Sequence, residues 1–119
     1  MTREKLPDRR ANWTESVVVG GHLFIVTFGE FADGRLGEIF LHADKEGTFV
    51  RGILDAVARL VSLSLQSGVP PATLANALKG LNFSPSGYVF GSEVAQECSS
   101  IMDWLGKEIE AYYGGLCSD

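Results

Sequence analysis

The polar chemistry of this chain is concentrated in one stretch, ADGRLGEIFLHADKEG, from Ala32 to Gly47. Asp33, Glu38, His42, Asp44 and Glu46 all fall within it. Carboxylates around a histidine are the raw material of a metal centre or an acid/base pair. The spacing argues against a local metal centre. Glu38 and His42 share one face of an expected strand, four residues apart. At about 3.3 Å per residue their Cα atoms lie roughly 13 Å from each other. Two ligands of one zinc must both come within about 2 Å of it. His22, on the neighbouring strand, leaves a His22–His42 pairing open.

The segment DKEGT admits two readings. Asp44 and Glu46 suit a helix N-terminus through its dipole. Lys45, Gly47 and Thr48 can instead present a positive charge and free N–H groups to an anion such as a nucleotide phosphate. Arg9 and Arg10, in REKLPDRR, can clamp a carboxylate or phosphate, or lie on a solvated arm. Neither G-x-G-x-x-G nor G-x-x-x-x-G-K-[ST] occurs, so neither nucleotide fingerprint is present. A nucleophile needs a base beside it. Cys98 falls on the apolar stripe of the last expected helix, where cysteine acts as a small hydrophobe, and Cys117 stands in the tail. His22, His42 and Cys98 are weak metal candidates. No catalytic residue stands out.

These side chains must be carried by elements that the sequence punctuates clearly. Gly20-Gly21 between two β-branched runs reads as a two-residue hairpin turn. Ala32-Asp33-Gly34 reads as a second turn, and RLGEIFLHA as a third strand. From Gly47 the period changes to three and four: Phe49, Val50, Ile53, Leu54, Val57, Leu60, Val61, Ser64 and Leu65 form a wide stripe, expected to be buried on more than one side. Gly68 ends this helix and Pro70-Pro71 opens a short one, which Gly80 stops. LNFSPSGYVFG reads as a loop. Ser92 reads as the cap of a last helix bearing Val94, Cys98, Ile101, Met102, Leu105, Ile109 and Tyr112. The expected fold class is α+β, a three-stranded antiparallel β-meander followed by three helices packed on one face. The expected division is an extended basic arm over 1–15, one domain over 16–113 and a flexible tail over 114–119.

Strand two, LFIVTF, does not alternate. A strand with one wet face should. Either both faces are covered or the second face docks on a partner, and a homodimer or a larger host protein is therefore expected.

Composition bounds the rest. The 119 residues fit one domain, and 45% hydrophobic with 21% charged residues is ordinary for a globular chain. A net charge of −5 argues against direct nucleic acid binding, which needs a basic face. Two distant cysteines and no apolar leader point to a reducing, cytoplasmic setting. The most apolar window is interrupted by Arg51, Asp55 and Arg59, so no membrane span is expected.

Beyond these readings, LPDRRANWT, GGHLFIVTFGEFADGRLGEIFLHADKEG, SLSLQSGVP, FSPSG and SSIMDWLGKEIEAYY occur in order. Together they resemble the C-terminal, TSCPD-type domain of adenosylcobalamin-dependent (class II) ribonucleotide reductases. The likeness runs from about Leu6 to Tyr113. It implies a free-standing copy of an accessory or regulatory domain linked to deoxyribonucleotide synthesis and DNA replication. Its implied partner is the reductase catalytic chain or a second copy of itself. The radical cysteine, substrate site and cobalamin site of such enzymes lie elsewhere in them, so no cofactor is expected in this chain and it is expected to be inactive alone. Relatives of this group carry cysteines that can hold a metal. The resemblance puts Cys98, within QECSS, at the name-giving position, and Phe83 and Val19–Gly20, which cannot ligate, at the others.

Overall fold

Gly20 and Gly21 both adopt left-handed backbone, φ +54° and +86°. They join β1 (Asn12–Val19) to β2 (His22–Glu30), with Val19 directly opposite His22. Gly34, at φ +90°, turns β2 into β3 (Leu36–Ala43). There the Asp33 carboxylate accepts from the Arg35 backbone N–H at 3.2 Å, the self-bonded turn expected of aspartate. The computed structural model describes residues 2–43 and 46–114.

After the meander come α1 (Thr48–Gln66) and α2 (Pro71–Leu78), with Pro71 at the first helical position of α2. Beyond α2 the structure departs from the expectation. The chain re-enters the sheet as β4 (Gly87–Phe90) and β5 (Glu97–Cys98) before α3 (Ile101–Tyr113). The sheet has five strands in the order β3-β2-β1-β4-β5. β4 is too short to show a period, and it pairs with β1, some seventy positions earlier, through Val18–Phe90 and Val19–Val89. Ser92 caps no helix; its hydroxyl accepts from Val94 N–H at 3.2 Å within the loop. The cap of α3 is Ser100, whose hydroxyl accepts from Asp103 N–H at 3.0 Å. Cys98 therefore lies in β5, not on a helix. β1 also starts at Asn12, earlier than its apolar run suggests, because Glu15 interrupts the inward-facing series Trp13, Glu15, Val17, Val19.

One face of the sheet carries Val17, Val19, Phe24, Val26, Phe28 and Ile39 into the core. Leu54, Ala58, Val61 and Leu65 of α1, and Trp104, Leu105 and Ile109 of α3, close over it. α3 is the central helix, buried on most sides between the sheet and α2. α1 is different. It runs beside the edge strand β3, where the Ser62 hydroxyl accepts from Ile39 N–H at 2.9 Å and donates to Ile39 C=O. Gln66 donates to Gly37 C=O at 3.0 Å. The middle of the β3 edge, at Gly37 and Ile39, is thus occupied. The side position leaves the rest of α1 open. Phe49 is 79% exposed, and Ile53, Leu60 and Leu63 are exposed too, so the wide stripe is buried on one side only.

The N-terminal arm lies against its own domain. Glu4 N–H donates to Gln66 C=O at 2.6 Å, and Arg3 reaches the Gln66 side chain. Leu6 packs where Gly37 has no side chain; a Cβ at Gly37 would come within 2.5 Å of Leu6 Cδ2.

Candidate functional site

The expected anion set is not brought to one place. Gly47 and Thr48 begin α1, with no side-chain cap, and both are exposed. Lys45 and Asp44 lie outside the described residues. Arg10 sits near the far end of α1, paired with Glu38 and donating to Pro7 C=O at 2.7 Å. The 19 residues of α1 put about 27 Å between its ends. Arg9 is exposed in the arm.

Nor do the metal candidates converge. His22 shares the face of Phe24, whereas His42 stands opposite Ile25 on the other face. Cys98 is in β5, at the opposite end of the strand order from His42. Burial, its first cause, pushes the Cys98 thiol above its usual pKa, the reverse of what a reactive thiolate needs. Among the described residues no three His, Cys, Asp or Glu side chains are placed to share a metal ion. His22 Nδ1 instead lies 3.0 Å from Glu46 Oε2. Glu38, on the outer sheet face, fills the space above Gly29, where a Cβ would come within 2.5 Å of its carboxylate.

Two surfaces remain. The first is the outer face of the sheet. Register places Val18 beside Leu23 and Phe90, Ile25 beside His42, and Thr27 beside Phe40. Such cross-strand neighbours lie about 5 Å apart. Val18, Leu23 and Ile25 are half-buried, while Phe40 and Phe90 are 55% and 67% exposed. Phe40 also borders a groove shared with Leu63 of α1, so the apolar sheet face runs on to the open side of that helix. The non-alternation of LFIVTF has its physical meaning here: Phe24, Val26 and Phe28 face the core, and Leu23 and Ile25 face outward.

The second surface was not read from the sequence. A cleft of about 430 Å³ is lined by Trp13, Glu15, Glu30, Glu93, Tyr112 and Tyr113. Behind it Glu108, on α3, is fully buried. The available signals were an acid in the inward series of β1 and an acid one position before Ile109.

The TSCPD domain family model matches residues 2–113. The vitamin B12-dependent ribonucleotide reductase of Agrobacterium fabrum is 41% identical over 113 residues, which is 95% of this chain and 9% of that protein. The protein of the same name from Bradyrhizobium diazoefficiens is 42% identical over 93% of this chain and 9% of its own length. That from Streptomyces coelicolor is 34% identical over 90% and 11%. This chain thus spans about a tenth of the length of these curated relatives. No solved structure matches it. No helix among the described residues is long and apolar enough to cross a membrane. With the family model covering nearly all of the fold just described, this chain belongs to the TSCPD domain family.

Proposed function

We propose that this domain is a non-catalytic accessory or regulatory module of cobalamin-dependent ribonucleotide reduction, acting by docking on the reductase catalytic chain. The observation that carries the reading is the uncovered apolar face of the sheet, Val18, Leu23, Ile25, Phe40 and Phe90, continuous with the open side of α1. Contiguous exposed apolar surface of this kind marks interaction sites. The choice of partner rests on the relatives, in which a unit like this one is about a tenth of a single reductase polypeptide. A domain held beside a catalytic body needs a face for it. Here the arm contributes less than its arginines suggest, because Arg3 and Arg10 are engaged within the domain.

The test mixes the protein with a cobalamin-dependent reductase that lacks its own copy of the domain. Sedimentation should show a complex, and activity or nucleotide control should change. Phe40→Asp, at an exposed position that does not enter the core, should abolish the complex while leaving the fold intact. A discrete monomer that leaves the truncated reductase unbound and unaltered would sink the proposal. A homodimer through the same face, with no reductase bound, would replace the partner named here by a second copy.

A further inference from the structure

The cleft lined by Trp13, Glu15, Glu30, Glu93, Tyr112 and Tyr113 combines three properties. It is strongly acidic. Three carboxyl groups line it, and the Glu108 carboxyl lies behind them beside Glu15, Ser92 and Glu93. Among the described residues no lysine, arginine or histidine lines it, and none of these four glutamates joins an ion pair.

Buried acceptors with nothing to accept stand in and behind its wall. Both oxygens of Glu108, and Oε2 of Glu15, are buried without a hydrogen-bond partner among the described residues. Glu108 is 0% exposed and turned towards two residues of the cleft wall. A buried acceptor left unpaired costs about 1–3 kcal/mol. A proton on Glu108, donated to Glu15, relieves part of this. Burial first, and Glu15 second, hold Glu108 protonated up to about pH 9.

The third property is a rigid aromatic wall. Trp13 stacks on Phe28 at 4.4 Å and meets Tyr112 edge-on at 5.2 Å. Its indole N–H donates to the Tyr113 hydroxyl at 2.8 Å, which donates to Glu30 at 2.6 Å. Burial and the nearby Glu108, Glu15 and Glu93 raise the Tyr112 phenol pKa, as a negative potential requires.

A metal ion would need several oxygens converging on one point at about 2.0–2.6 Å, and the described carboxylates do not converge so. A delocalised organic cation makes no such demand. Guanidinium offers five N–H donors, accepts carboxylates spread around it, and is attracted to aromatic faces. We propose that this cleft binds a guanidinium or ammonium group, held by Glu15, Glu30 and Glu93 against Trp13 and Tyr112. The group comes either from a small amine or from an arginine or lysine side chain of a peptide. The site is separate from the apolar docking face and does not depend on it.

Agmatine and acetyl-Gly-Arg-Gly-amide, titrated separately against the full chain by proton–nitrogen NMR, test the proposal and distinguish the sources. Saturable shifts of the Trp13 indole N–H are expected. Binding of both probes assigns a side-chain-sized group from either source, and binding of agmatine alone assigns a small amine. Glu93→Gln, in an exposed loop, and Glu30→Gln should each weaken binding about fivefold, with the remaining amide spectrum unchanged. No saturable shift with either probe at millimolar concentration overturns the proposal. So does unchanged affinity in the Glu30→Gln/Glu93→Gln double variant.

Discussion

Glu108 is the residue whose environment is most at odds with its chemistry. It is fully buried, and burial followed by the neighbouring Glu15 lifts its pKa from 4.5 to about 9. The consequence for stability has a definite sign. Between those two values the folded chain holds a proton that the unfolded chain has released. Stability is therefore greatest below the ordinary carboxyl pKa and declines as pH rises towards 9, by at most about 1.4 kcal/mol per pH unit. Glu108→Gln keeps the shape and removes the titration. Urea denaturation near pH 5 and near pH 8 should show the parent losing stability across the interval and the variant losing much less. A parent whose midpoint does not move would contradict this account. The same acids limited what could be read from the sequence. Glu15 breaks the apolar alternation of Trp13, Val17 and Val19, which conceals the first half of β1. Local rules fail where a site overrides them, and here the failure coincides with the acidic cleft.

At the scale of elements, the two long helices use glycine in opposite ways. A Cβ on Gly106 of α3 would meet Lys79 N at 2.8 Å and Ala75 C=O at 2.9 Å, in the backbone that ends α2. On Gly52 of α1 it would meet nothing within 4 Å. Alanine is favoured over glycine within a helix by about 1 kcal/mol. At Gly106 the clash with rigid backbone outweighs that gain, and Gly106→Ala should destabilise by about 1–2 kcal/mol. At Gly52 the gain stands alone, and Gly52→Ala should stabilise by up to about 1 kcal/mol. Denaturant midpoints of the two variants should therefore move in opposite directions; two shifts of the same sign would refute the packing argument. Turn chemistry made the meander legible, because Gly20, Gly21 and Gly34 each supply a left-handed conformation that few other residues adopt. The second half was harder. Gly87–Phe90 is a strand only because β1 offers it an edge, and Glu97–Cys98 only because β4 then offers the next one, a long-range cause that no local window contains. Val94 and Cys98 fall into step with the spacing of α3, which draws its apparent start too early.

For the molecule as a whole, the apolar side chains divide between a core shared by the sheet, α1 and α3, and an outer face left bare. LFIVTF already implied that division, and the order of strands and helices implied the α+β class. The core depends on its last element. Trp104, Leu105 and Ile109 of α3 are fully buried, and Tyr113 ties α3 to both β1 and β2. A chain ending at Ser100 should therefore show no cooperative urea transition. A truncated chain that still unfolds in one step would mean that the meander and α1 are sufficient by themselves.

The bond between Trp13 and Tyr113 spans 100 positions, and this bears on biosynthesis. A growing polypeptide emerges from the ribosome in order, so Val17, Phe24 and Phe28 are made long before the helix that seals them. At about 5–20 residues per second, the seventy residues between Ala43 and Tyr113 take roughly 4–14 s to follow. For that interval the nascent meander presents oily surface to its surroundings, as chaperone substrates do.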